Sequence, residues 1–106
     1  MAVPSTPLFG NPTRVTADVA IKAAPGKLWA IMLVGGTAPC DMKFYNHASS
    51  GTGDEVIEIN AGHYITEKHT QSTTFISFVE LGGIDFSTGI YVDWTGIAAV
   101  GYVWWG

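Results

Sequence analysis

The sequence predicts an all-β fold, an antiparallel β-sandwich with the jelly roll as the preferred version. Three observations predict it: apolar and polar residues alternate with a period of two, Gly-rich turns separate these segments, and amphipathic-helix spacing is almost absent. At 106 residues the chain has the length of one domain, which would bury roughly 65% of its unfolded surface on folding. We therefore expect a single core between two sheets.

The first 13 residues are expected to form an extended arm. They contain three prolines, which disfavour regular pairing, and the residues that we expect to define the arm are Pro4, Leu8 and Phe9. Residues 14 to 106 then form the sandwich domain. In this architecture an arm can pair with the sheet edge of a neighbouring subunit by strand addition.

Three strands are predicted in the first half of the domain. Residues 14 to 22 alternate strictly and predict one half-buried strand, with Val15, Ala17, Val19 and Ile21 on one side. Residues 28 to 34, LWAIMLV, are apolar on both faces, which is typical of a central strand or of one covered by a neighbouring subunit. Residues 40 to 46 predict a third strand, before the polar loop HASSGTGD; its apolar face consists of Cys40, Met42 and Phe44.

Four more strands are predicted in the second half. Residues 55 to 61 form a short one and residues 72 to 81 a longer one, followed by a Gly-Gly turn. Residues 90 to 94 and 97 to 105 flank Thr95 and Gly96 and predict a closing hairpin. Residues 61 to 71, AGHYITEKHTQ, fit either a long loop or a strand.

The aromatic cluster near residue 105 has three interpretations. In a strand, Tyr102 and Trp104 share one face with Ala98 and Val100, while Trp105 lies on the other face, which is also apolar. Both faces are covered within the monomer, or one forms a subunit contact, or exposed tryptophans form a platform for stacking sugars. The candidates for a subunit interface are Trp94, Tyr102, Trp104 and Trp105, and the sugar platform would use the three tryptophans.

Composition and charge exclude several functions. Hydrophobic residues make up 47% of the chain and charged residues only 13%, so its surface is poorly protected against association. With a formal net charge of −4 and five scattered Lys and Arg residues, no basic stripe is available for nucleic acid. No apolar run is long enough for a membrane helix, and the first residues do not resemble a signal peptide, so we expect a protein made inside a cell. The single cysteine, Cys40, is expected to be a buried apolar residue.

We expect neither a metal site nor a catalytic site. Glu67 lies between His63 and His69, but in one extended strand the two histidines would be roughly 20 Å apart, too far to share an ion. Together with His47 they are expected to be ordinary loop histidines. Ser49, Ser50 and Ser87 lack the motif of a nucleophile, and Asp54, Glu55 and Glu58 are the carboxylates of a solvated loop and its margin. No cofactor is expected.

Three motifs in a fixed order resemble a group of small virion proteins of tailed bacteriophages. Residues 35 to 38 match a GGTA-like turn, and residues 45 to 52 match a loop of the form YDNAS-GT, with His47 at the second small polar position. Residues 83 to 96 match a segment of the form GI-FSTGLYVD-TG, which is the most specific of the three. The resemblance extends from about Lys27 to Gly106. Residues 61 to 71 and the Trp-rich end depart from the pattern.

The resemblance implies a non-enzymatic β-sandwich protein of the virion, most simply a capsid decoration or cement protein. Such a protein would be made in the host cytoplasm, form a homotrimer on the outer head surface and clamp neighbouring subunits of the major capsid protein. On this interpretation Trp94, Tyr102, Trp104 and Trp105 partly fill the core and partly seal a contact between subunits. The resemblance supplies no catalytic residue.

Two alternatives belong to other functional classes. The first is a tail, neck or receptor-binding component in which loops and exposed aromatic residues recognise a host surface glycan. The second is a particle stabiliser that depends on an ion held by His63, Glu67 or His69.

Overall fold

The computed structural model describes residues 11–36, 40–51, 53–61, 73–96 and 98–106. This part of the chain contains nine strands and one 3₁₀ turn at Val79–Leu81. The strands are β1 Asn11–Val15, β2 Val19–Lys22, β3 Gly26–Val34, β4 Cys40–Tyr45, β5 Glu55–Ala61, β6 Thr73–Ser77, β7 Ile84–Phe86, β8 Ile90–Thr95 and β9 Val100–Trp105.

The strands form two antiparallel sheets that pack together, which confirms the all-β sandwich. The front sheet has the order β1-β9-β3-β6, and the back sheet has the order β2-β8-β4-β5. Strand β7 also pairs with β3, opposite residues 26 to 28, while β6 pairs opposite residues 30 to 34. Strands β6 and β7 therefore form one interrupted edge of the front sheet. Between them the amide of Phe78 donates to the carbonyl of Trp29 at 2.8 Å.

The core lies between the sheets and follows the period-two pattern. In β4 the burial alternates strictly, and Cys40, Met42 and Phe44 are buried as the sequence predicts. Strand β3 is central in the front sheet, which agrees with its apolar sequence, and contributes Leu28, Ile31 and Leu33 to the core. Burial of such side chains stabilises the sandwich by about 2 kcal/mol each relative to full exposure.

Two predicted elements are wrong in the same way. Residues 14 to 22 form not one strand but two, because the chain leaves the front sheet after Val15 and enters the back sheet at Val19. Strands β8 and β9 do not form a hairpin, since β8 pairs with β2 and β4 while β9 pairs with β1 and β3. Both errors have one cause: local alternation does not distinguish a turn within a sheet from a crossing between sheets.

Two boundaries also differ from the sequence prediction, and one strand was not predicted. The strand predicted over residues 72 to 81 ends at Ser77, and β7 was not predicted. The predicted arm extends too far, because residues 11 to 13 belong to β1 and pair with residues 103 to 105 of β9. Its candidate residues Pro4, Leu8 and Phe9 lie outside the described residues, as does most of the unsettled segment 61 to 71. The jelly-roll version stays a prediction.

Candidate functional site: two unlike outer faces

The outer surface of the front sheet carries a cluster of large apolar side chains, and the polar residues Thr73 and Ser77 and the ion pair of Lys27 with Asp85 lie on the same side. The register places Met32 opposite both Phe75 and Tyr102, and Trp104 lies two residues beyond Tyr102 on the same side of β9. We call these four side chains the front face. The alternate residues Ile31 and Leu33 of β3 and Val103 of β9 are fully buried in the core. Strands β3 and β9 therefore contribute apolar side chains to both sides of the sheet.

Aromatic contacts connect the residues of the front face. The rings of Phe75 and Trp104 meet edge to face with centroids 6.2 Å apart, and the rings of Tyr102 and Trp104 lie 6.4 Å apart. Phe75 remains 52% exposed, and Met32, Tyr102 and Trp104 are half-buried. Every described strand belongs to one of the two sheets, so no third layer of described strands covers this face. Aromatic side chains therefore lie on the outer side of the front sheet as the described residues form it.

The edge of the front sheet next to this face also exposes apolar residues, alongside the exposed Ser77 and Glu80. Of the five large hydrophobic residues that are exposed among those described, four lie between residues 75 and 81; they are Phe75, Ile76, Val79 and Leu81. Leu81, in the 3₁₀ turn, is 76% exposed. Phe75 belongs both to this edge and to the front face, so the two apolar surfaces are continuous.

The outer surface of the back sheet is polar and acidic. Lys43 lies opposite Asp93 on β8 and Glu58 on β5, with Asp41 two residues before it and Tyr45 opposite Tyr91. We call this surface the back face. Glu58, followed by Tyr45 and Asp41, raises the pKa of Lys43 above its ordinary value. The two outer faces of the sandwich are thus chemically unlike.

One carboxyl of the back face is electrostatically perturbed. Partial burial, followed by the hydrogen bond and negative charge of Glu58, raises the pKa of Asp41 to about 6. Asp41 Oδ1 is buried and accepts no hydrogen bond from the described residues. Both observations indicate that the fold favours the protonated form of this carboxyl group.

The polar loop after β4 meets the turn between β7 and β8 at one end of the sandwich. Asn46 begins the loop after β4, and its Oδ1 accepts from the amides of Thr88 at 2.8 Å and Gly89 at 3.4 Å. Its Nδ2 donates to Ser87 Oγ at 2.9 Å. Asn46 therefore joins the loop of residues 46 to 54 to the turn between β7 and β8. These are parts of the two longer segments that carry the sequence resemblance.

We expect Asn46→Ala to destabilise the domain by about 1 kcal/mol, because it removes three hydrogen bonds at a partly solvated site. Urea denaturation followed by tryptophan fluorescence measures the change. Ser87→Ala is the matched variant, since it removes only the bond from Nδ2. An equal loss in both variants would contradict the role of the two amide contacts.

His47 has a local structural role. Its Nδ1 accepts from the amides of Ser49 and Ser50, each at 3.1 Å, and so holds the loop in a tight turn. The contacts use the Nδ1 lone pair, and no group of three metal-binding side chains occurs among the described residues. His63, Glu67 and His69 lie outside the described residues. The ion-dependent alternative therefore stays untested.

The predicted interface residues do not form one cluster. Tyr102 and Trp104 lie together on the front face, whereas Trp94 and Trp105 pack against the core from opposite sheets. Trp105 Nε1 donates to Thr13 Oγ1 at 2.7 Å, and Lys22 Nζ lies 5.8 Å from its ring centroid. The three tryptophans Trp94, Trp104 and Trp105 do not make the single exposed row that a sugar platform would need.

Sequence reasoning missed two residues of the front face. Met32 and Phe75 lie within segments read as strands, but nothing in their local sequence says that they align with Tyr102 and Trp104. Residues 28 to 34, with apolar side chains on both faces, did predict a strand that is covered on both sides. They did not indicate which strands pair with it, and so could not identify Phe75 and Tyr102 as neighbours of Met32.

The predicted serines and carboxylates do not assemble a reactive site in the described part of the chain. Ser87 is bound to Asn46, and the amides of Ser49 and Ser50 both contact His47. Cys40 is buried, as predicted, and burial raises the pKa of its thiol, whose Sγ donates to the carbonyl of Ala61 at 3.6 Å. This thiol is a core group rather than a nucleophile.

No described helix has the length and apolar character needed to span a membrane. Comparisons with protein-family models, with curated proteins and with solved structures each found no match for this chain.

Proposed function

We propose that the chain is a non-enzymatic structural protein of a tailed bacteriophage particle, and that it decorates the outer surface of the head. The observation that carries the proposal is the contrast between the two outer faces of the sandwich. A protein that attaches to other subunits by one side needs an apolar surface there, and the front face with its apolar edge meets that need.

The sequence resemblance supplies the biological setting. Its two longer segments lie against each other through Asn46, so the residues that carry the resemblance also stabilise the fold. The strand orders β1-β9-β3-β6 and β2-β8-β4-β5 fit a jelly roll, a fold found in viral capsid and lectin domains. On this proposal the major capsid protein is a partner, and the chain is made in the host cytoplasm and located on the virion.

Immunogold labelling tests the proposal. An antibody raised against the recombinant chain is applied to purified particles of the source phage, and gold is counted separately on heads and tails. We expect gold over the whole head at a density comparable with that of the capsomers. Gold confined to the tail would overturn head decoration in favour of the receptor-binding alternative, and absence of gold from particles would overturn the virion role itself.

A further inference from the structure

We propose that the loop of residues 46 to 54 contains an acid-released turn, in which protonation of the His47 ring frees residues 48 to 51. This conformational response goes beyond the proposed function, because it belongs to the chain alone and involves no second molecule. Two features carry it: the acceptor role of one ring nitrogen, and the contacts that fix the base of the loop.

The Nδ1 atom of His47 accepts two hydrogen bonds from the backbone. The donors are the amides of Ser49 and Ser50, each at 3.1 Å, and they share the single lone pair of Nδ1. In a neutral imidazole one ring nitrogen accepts and the other carries the proton. The closed turn therefore requires a neutral ring with its proton on Nε2.

A second proton on the ring removes this acceptor. An imidazolium donates from both nitrogens, so rotation of the ring cannot restore either bond. In a closed turn with a charged ring, the N–H of Nδ1 would point at the N–H groups of Ser49 and Ser50, and three donors would meet without an acceptor. Protons therefore favour the open turn, and the closed turn is lost as the pH falls.

The base of the loop is held by contacts that do not involve the His47 ring. The amide of Asn46 donates to the carbonyl of Asp54 at 2.9 Å, and the amide of His47 donates to the carbonyl of Tyr45 at 2.9 Å. Asn46 Oδ1 accepts from the amide of Thr88 at 2.8 Å, and a carboxamide is not among the groups that titrate. The release is therefore confined to residues 48 to 51 and leaves the junction with the turn between β7 and β8 intact.

Other ionisable residues surround the loop, and their titration has to be separated from that of His47. In the described part of the chain they come from the loop itself and from β2, β4, β5 and β8; they are Lys22, Tyr45, Asp54, Glu55, Tyr91 and Asp93. Asp93 lies beside the turn, since its Oδ2 is 3.6 Å from the position of a Cβ on Gly51. Asp41, whose pKa burial and Glu58 raise to about 6, responds with the opposite sign, because the domain loses stability as this carboxyl group loses its proton at rising pH.

His47→Asn changes the imidazole and keeps every one of these other groups. The Oδ1 atom of an asparagine accepts from amides that follow it in a turn, and it does not titrate. Amide exchange of Ser49 and Ser50, corrected for the intrinsic exchange rate, is measured by NMR in both full-length proteins at about pH 7.5 and about pH 5. A histidine ring in water takes up its second proton near pH 6.5, so one proton changes the opening equilibrium by at most about thirtyfold over this range.

We expect both amides to lose about tenfold in protection in the wild type and less than about twofold in His47→Asn. The amide of Thr88, which is bonded to Asn46, is the internal control and should keep its protection at both pH values. Nitrogen chemical shifts of the His47 ring report independently which nitrogen carries the proton.

Four outcomes would each overturn the inference. They are a proton on Nδ1 at about pH 7.5, unchanged protection of Ser49 and Ser50 in the wild type, an equal loss in His47→Asn, and an equal loss at Thr88. The last would show that the whole end of the sandwich unfolds in acid, rather than the turn alone. Three of the four outcomes need only the wild-type protein, so a variant that fails to fold leaves the test intact.

Discussion

Replacing Gly89 with alanine is expected to destabilise the domain by about 3 kcal/mol. A Cβ at this position would lie 2.8 Å from three backbone atoms, which are Ala48 Cα, the carbonyl oxygen of His47 and the carbonyl oxygen of Lys22. Flexible side chains can move away from an added methyl group, but these atoms belong to two chain segments that the fold holds in place. The turn between β7 and β8 would have to move away from the loop that follows β4.

Gly51→Ala is the matched control for this prediction. Gly51 lies in the same loop region, and a Cβ there would make ordinary contacts at 3.6 Å with Asp93 and Tyr45. We expect its effect to stay within about 0.5 kcal/mol. Free energies of unfolding from urea titrations measure both variants. If Gly89→Ala lowers the free energy of unfolding by less than about 1 kcal/mol, or if the two variants lower it equally, the predicted clash with the three backbone atoms is contradicted.

Asp41→Asn is expected to stabilise the domain near pH 7.5 and to leave it unchanged near pH 3. In the folded chain burial and Glu58 raise the pKa of Asp41 from its ordinary value of 3.8 to about 6. Below about pH 3 this carboxyl group is protonated in both the folded and the unfolded chain, and the fold suffers no penalty. As the pH rises from about 3 through about 6, the unfolded chain loses the proton first, so the wild-type domain loses stability.

The size of this effect follows from the same numbers. A rise of the pKa from 3.8 to about 6 corresponds to about 3 kcal/mol if it is fully expressed. Asp41 is only partly buried, and solvent screening reduces the expected gain of the variant to about 1.5 kcal/mol. Urea titrations of wild type and variant at several pH values measure the difference. The other carboxyl groups are present in both proteins, so their contributions cancel in the difference between the two free energies of unfolding.

Asp93→Asn is the control for charge alone. It removes one carboxylate from the back face, opposite Lys43, and leaves the contact between Asp41 and Glu58 intact. We expect no gain in stability at pH 7.5 from this variant. A difference between Asp41→Asn and wild type that is constant from pH 3 to pH 7.5 would show that the fold does not favour the protonated carboxyl group.

The structure places the four candidate interface residues in different parts of the sandwich. Trp94 packs against the core of the sandwich. A Cβ on Gly101 of the facing sheet would lie 2.7 Å from Met42 Sδ and 3.2 Å from Trp94 Cζ3, so these two side chains together fill the space that the glycine leaves. Of the four candidate interface residues, Tyr102 and Trp104 lie on the front face.

The sequence alone determined where most strands lie and, where the alternation is strict as in β4, which residues are buried. Alternation is a local property, because successive side chains point to opposite sides of a strand. It identified the buried face of β4, the central position of β3 and the two apolar sides of β9, all of which agree with the structure.

Only the tertiary structure decided which sheet each strand joins, and therefore which side chains form a surface together. The same period-two pattern fits a hairpin and a crossing between sheets, so the sequence placed β8 beside β9 although they belong to facing sheets. The choice depends on contacts between residues that are distant in sequence, such as Asn46 with Thr88 and Gly101 with Trp94. The pairing of β3 with β6 and β9 likewise brings Met32 and Phe75 beside Tyr102 and Trp104, because it fixes the register of these three strands.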